Sequence, residues 1–119
     1  MTLPHLPFAV TVEAGPRAVH LRICGDLDDD SAEVLVHRAA HCVSTHPDLR
    51  DLHLDCAQLR FCDSSGLSAL LMVHRTAGAA GVGLHLDHVP PLLERLLAIT
   101  GVRGLFRTGG EDAARQPDR

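Results

Sequence analysis

Apolar and polar residues alternate along 7–13, PFAVTVE, and again along 17–24, RAVHLRIC, with the turn signal AGP between them. A period of two predicts two strands, and so short a turn joins them as a hairpin. GDLDDDS then breaks the alternation, and from Ser31 the apolar positions Ala32, Leu35, Val36, Ala39 and Val43 recur at helical spacing. Asp30 or Ser31 is placed to cap this helix, with acidic residues beside its positive end, and Pro47 closes it. In DLHLDCAQL, Leu52, Leu54 and Cys56 alternate and predict a short strand running into a turn. A second helical stripe follows at Leu67, Leu70, Leu71, His74 and Ala77, which Gly78 and Gly81 terminate. VGLHLDHV reads as a further strand. PPLLERLLAITG opens with prolines suited to a first helical turn and stops at Gly101, and GLFRT forms a last short strand.

The predicted order is therefore β-β-α-β-α-β-α-β, an α/β fold with a mixed sheet and helices packed on it. The first two strands pair antiparallel and the later ones pair through crossovers. One domain accounts for 7–107, and 108–119 make a polar C-terminal tail, flexible or a short helix. Fold alone does not name a function, so the loops after the strands must do so.

Composition narrows the classes of function. The 119 residues, 45% of them hydrophobic, suit one domain that buries its own core. Fifteen acidic residues against eleven basic give a formal charge of -4, and there is no Trp or Tyr to stack on bases, so no nucleic-acid partner is expected. The opening MTLPHLPF lacks a basic region followed by a long apolar one, and no later stretch approaches the roughly 20 apolar residues that span a bilayer. The expectation is a cytoplasmic protein with no membrane association.

Cys24, Cys42, Cys56 and Cys62 form no CxxC pair, which argues for reduced, mostly buried thiols rather than disulfides or a zinc ribbon. His37 and His41 have the i, i+4 spacing of a metal-gripping pair, yet no HExxH glutamate and no third ligand accompany them. No metal is expected there.

FCDSSGLSALL, 61–71, places Asp63, Ser64 and Ser65 at a strand-to-helix junction. Three readings of the hydroxyls compete: a helix cap, a hydrolytic nucleophile and a modification site. A hydrolase elbow wants GxSxG, and neither serine has a glycine two residues before it. Unpaired N–H groups and the dipole at a helix start favour a neighbouring anion, so this junction suits a phosphate, and Gly66 would let another chain approach the first turn. A phosphoserine adds about 1.5 to 2 negative charges, which disrupt a partner surface by desolvation and by repulsion from nearby carboxylates without refolding the domain.

GDLDDDSAEVL (25–35), DLHLDCAQL, FCDSSGLSALL and PPLLERLLAITGVRGLF together resemble, in order and spacing, the bacterial anti-sigma factor antagonists of the STAS domain family. The likeness spans about 7–107. It implies a non-enzymatic switch: unphosphorylated, such proteins bind an anti-sigma factor that is also an ATP-dependent serine kinase, and so free a sigma factor. The kinase, which holds the ATP, phosphorylates the first serine of the motif, and a serine phosphatase reverses this. By position the phosphoacceptor is Ser64, flanked by Asp63, Ser65 and Gly66. The implied partner surface comprises Asp26, Leu27, Asp28, Asp29 and Ser31 with Leu67 and Ser68, on a chain expected to be monomeric when free. The alternative within the family is a scaffold or lipid-transport subunit without a phospho-switch.

Overall fold

The computed structural model describes residues 7–108. Five strands, β1 (Ala9–Ala14), β2 (Ala18–Leu27), β3 (Asp51–Cys62), β4 (Gly83–Asp87) and β5 (Arg107–Thr108), form one sheet in sequential order. β1 pairs antiparallel with β2, and every later pairing is parallel. The helices α1 (Ala32–Thr45), α2 (Ser64–Ala79) and α3 (Pro91–Thr100) connect the parallel strands, and a short 3-10 turn at Arg103–Leu105 precedes β5. This is the β-β-α-β-α-β-α-β order that the periodicities predict. Thr108, assigned above to the tail, lies in β5, and the rest of that tail, 109–119, falls outside the described residues.

Parallel neighbours joined by right-handed crossovers that all step the same way across the sheet put all three helices on one face. The core lies there. Val19, Leu21, Ile23 and Leu27 of β2, Leu52 and Leu54 of β3 and Leu84 and Leu86 of β4 pack into one cluster with Leu35 and Ala39 of α1, Leu70 and Val73 of α2, and Leu93 and Leu97 of α3. Each fully buried leucine contributes about 2 kcal/mol of transfer free energy. The opposite face of the sheet carries the alternate, polar positions.

β3 runs unbroken from Asp51 to Cys62, through the turn expected within it. The alternation holds through Cys56 and then slips: Arg22 pairs with Asp55 and Cys24 with Gln58, Gly25 with Leu59 and Asp26 with Phe61. β3 thus gains a residue over β2 at two places, a pair of bulges, and the Ala57 amide donates to Asp55 Oδ1 at 3.1 Å across the first. The strand continues through the turn expected after Cys56 and ends at Cys62, at the strand-to-helix junction expected before Ser64, which is the edge at which β2 also ends.

Candidate functional site

Because β2 and β3 run parallel, the segments leaving them lie at the same edge of the sheet. Leu27 pairs with Cys62, the Asp63 amide donates to the Leu27 carbonyl at 3.4 Å, and the two polar segments singled out from the sequence, 26–31 and 63–68, are brought together.

The cap of α2 is Asp63. It has extended backbone angles, and its Oδ1 accepts from the Gly66 amide at 3.0 Å. That removes the capping role weighed for Ser64. Ser64 is the first helical residue, exposed, and its hydroxyl enters no side-chain hydrogen bond among the described residues. The histidine rings that do make side-chain hydrogen bonds there meet Thr45, the Cys42 carbonyl, Asp87, Asp51 and Asp55. None of these partners is Ser64 or Ser65. Ser65 is half-buried, and Ser68 is exposed one turn beyond Ser64 on the same helix face.

Gly66 is not an opening for another chain. It is buried, and a Cβ there would lie 2.3 Å from the Leu27 carbonyl oxygen and 2.8 Å from Cys62 Sγ. Its missing side chain serves the contact between α2 and the end of β2. The Cys62 thiol beneath it is pushed up to about 11, by burial first and then by the Asp63 carboxylate. It is protonated at neutral pH and is no nucleophile.

The 26–31 loop is held by its own polar groups. Asp28 Oδ1 accepts from the amides of Asp30 and Ser31 at 3.0 and 3.3 Å, the Asp28 amide donates to Ser31 Oγ at 2.9 Å, and Ser31 Oγ donates to the Asp26 carbonyl at 2.7 Å. Ser31 occupies the N-cap position of α1, but its hydroxyl is spent inward on the loop, and Asp30 supplies no cap either. Three of the expected surface residues are therefore corrected: Leu27, Ser31 and Leu67 are buried, at 0%, 5% and 8% exposure, and shape the ledge from beneath. Asp29 and Asp30 are exposed, Asp26 and Asp28 half-buried.

Two side chains that the sequence reading passed over join this edge. Phe61 pairs with Asp26 and is 47% exposed; Met72, two turns from Ser64 on the face of Ser68, is 46% exposed. A methionine at eight residues from the serine was the available signal for the second. For Phe61 the β3 bulges hid the phase. The edge thus combines an exposed hydroxyl at a helix start, a carboxylate-bearing loop and two exposed apolar side chains, the makings of a protein-binding surface. The His37 and His41 pair is exposed on α1, and no third donor joins it among the described residues.

A family model described as Mlab, STAS domain, matches residues 10–107. Among solved structures, the anti-sigma factor antagonist SpoIIAA in its unphosphorylated form aligns with a TM-score of 0.72 at 20% identity, over 89% of this chain and 92% of that one. The Bacillus cell fate determinant SpoIIAA in the phosphorylated form gives 0.67 at 20% identity, over 89% and 96%. A sulfate transporter family protein from Wolinella succinogenes gives 0.64 at 19% identity, over 76% and 75%. At such identities the likeness to these structures is one of fold.

Proposed function

The chain belongs to the STAS domain family, and we propose that within it this protein is an anti-sigma factor antagonist switched by phosphorylation of Ser64. Unphosphorylated, it binds an anti-sigma factor that is also a serine kinase, through Asp29, Asp30, Ser68 and the exposed apolar residues of the same edge. Binding displaces the sigma factor. The observation that carries the reading is the division of labour at the α2 start: Asp63 caps the helix, which leaves the Ser64 hydroxyl exposed and unengaged among the described residues.

The chemistry needs no catalytic residue from this chain. The Ser64 oxygen attacks the γ-phosphorus of ATP held by the kinase, the bond to the β-phosphate oxygen breaks, ADP leaves, and the hydroxyl proton passes to a base of the kinase. The phosphate then sits at a helix N-terminus, where free N–H groups and the dipole tolerate it, so the domain stays folded. In the complex the same charge must be desolvated beside Asp26, Asp28, Asp29 and Asp30, and like charges juxtaposed at an interface cost several kcal/mol. A serine phosphatase resets the switch. All of this takes place in the cytoplasm, where ATP and the transcription machinery reside; no helix of the described residues is long and apolar enough to cross a membrane.

Incubation with ATP and the candidate kinases of the host, followed by phosphopeptide mass spectrometry, tests the assignment. Phosphate localised to Ser64 together with loss of the complex supports it. The second reading, a stable subunit of a transport assembly, draws on the structural likeness to the sulfate transporter family protein. It expects an unmodified Ser64 and co-purification with transporter subunits.

A further inference from the structure

The open face of the sheet carries a second cluster that the phospho-switch does not use. Parallel register sets His20 of β2 beside His53 of β3, and His53 beside His85 of β4. The three rings stack, with centroids 4.4 Å apart in each pair and interplanar angles of 12° and 13°. Two residues along, the same register aligns Arg22, Asp55 and Asp87. His53 Nδ1 lies 2.9 Å from Asp87 Oδ2, and His85 Nε2 lies 2.8 Å from Asp51 Oδ1. His20, at the end of the row, is exposed and makes no side-chain hydrogen bond among the described residues. Beside it opens a depression of about 220 Å³, lined in part by Glu13, His20, Arg22 and Asp55.

One donor atom each from His20, His53 and Asp87 lies within 4.8 Å of the others. An ion held at about 2.0–2.1 Å by tetrahedral ligands needs its donors about 3.3 Å apart. The remaining difference is within reach of a rotation of the exposed His20 ring about its soft terminal torsion. His53 is the less free of the two imidazoles, since the His85 ring stacks on its far side, and strands place such groups more firmly than loops do. Asp87 Oδ1 is buried without a hydrogen-bond partner among the described residues, so this carboxylate retains an unmet demand for a positive neighbour.

We propose that His20, His53 and Asp87 form a site for one divalent transition-metal ion of the zinc class on the open face of the sheet. Two imidazoles and a carboxylate suit zinc, nickel or copper far better than magnesium or calcium, which prefer oxygen alone. Three protein ligands leave a fourth position for water or another small ligand. Glu13, opposite His20 in the antiparallel register, adds negative charge at the mouth, while the nearby Arg22 is paired to Asp55 at 3.7 Å. From His53 to Cys62 β3 runs nine residues, roughly 30 Å at about 3.3 Å each. The site stands apart from Ser64 and is independent of its phosphorylation.

The test is a titration of the untagged full chain with zinc by calorimetry and with cobalt by visible absorption, each variant checked for fold by circular dichroism. One ion binds per chain, His20→Ala and Asp87→Asn each weaken binding at least tenfold, and a double His37→Ala, His41→Ala variant binds as the parent does. In imidazole NMR spectra the His20 and His53 rings shift on adding zinc. Absence of binding at millimolar zinc, an undiminished affinity in folded His20→Ala, or shifts confined to His37 and His41 would each overturn the proposal.

Discussion

Leu27 and Gly66 meet backbone to backbone: a single Cβ on Gly66 would fall 2.3 Å from the Leu27 carbonyl oxygen. The contact locks the end of β2, and with it the acidic loop, to the first turn of the helix that presents Ser64. Gly66→Ala forces a rigid main-chain group to move. Overpacking of a buried contact, at the upper end of its usual range of about 1–3 kcal/mol, outweighs the gain in helix propensity of about 1 kcal/mol, and a net loss of about 1–2 kcal/mol is expected in denaturant unfolding. An unchanged midpoint would mean that the two segments are less tightly joined than this.

The cap and the exposed hydroxyl separate by mutation. Asp63→Ala removes the acceptor for the Gly66 amide and is expected to cost about 1 kcal/mol. Ser64→Ala and Ser64→Glu are expected to lie within about 0.5 kcal/mol of the parent, since the Ser64 side chain is exposed and a carboxylate in a first helical turn is favourable. Thermal unfolding of the three variants decides the matter; a larger loss in Ser64→Ala than in Asp63→Ala would return the cap to the serine.

The helix start was legible because its signal is local: a carboxylate, two hydroxyls and a glycine just before an apolar stripe. The unbroken course of β3 between its two ends was not, since the bulges after Asp55 and Leu59 shift the phase and can be recognised only against the partner strand. For the same reason the sequence alone could not show that Ser31 spends its hydroxyl on the Asp26 carbonyl, or that Gly66 faces Leu27. The histidine row was hidden more deeply. His20, His53 and His85 are scattered along the chain, and only the parallel register brings their rings together.

The buried thiols give the protein an alkaline limit. Cys56 is pushed from the usual 9.0 up to about 12, by burial first and then by Asp55, Asp87 and Cys62. An acid group whose folded pKa is raised lends stability that is complete below the unfolded value and disappears as pH climbs through the folded one. Stability should fall between about pH 9 and pH 12, at up to roughly 1.4 kcal/mol per pH unit for this group, because the unfolded thiol ionises first. Denaturant unfolding across that range checks the slope, and Cys56→Ala should flatten it. At pH 8 Cys62, pushed up to about 11, should react with a thiol reagent far more slowly in the folded than in the unfolded protein.

The phospho-switch itself comes down to how the anti-sigma kinase binds three forms of this chain: parent, Ser64→Ala and Ser64→Glu, each verified as folded, with affinities measured by calorimetry. The alanine variant should bind within threefold of the parent and resist release by ATP. The glutamate variant should bind at least a hundredfold more weakly, about 2.7 kcal/mol, with its unfolding temperature unchanged. A folded Ser64→Glu protein that holds the kinase within threefold of the parent would contradict a switch at Ser64.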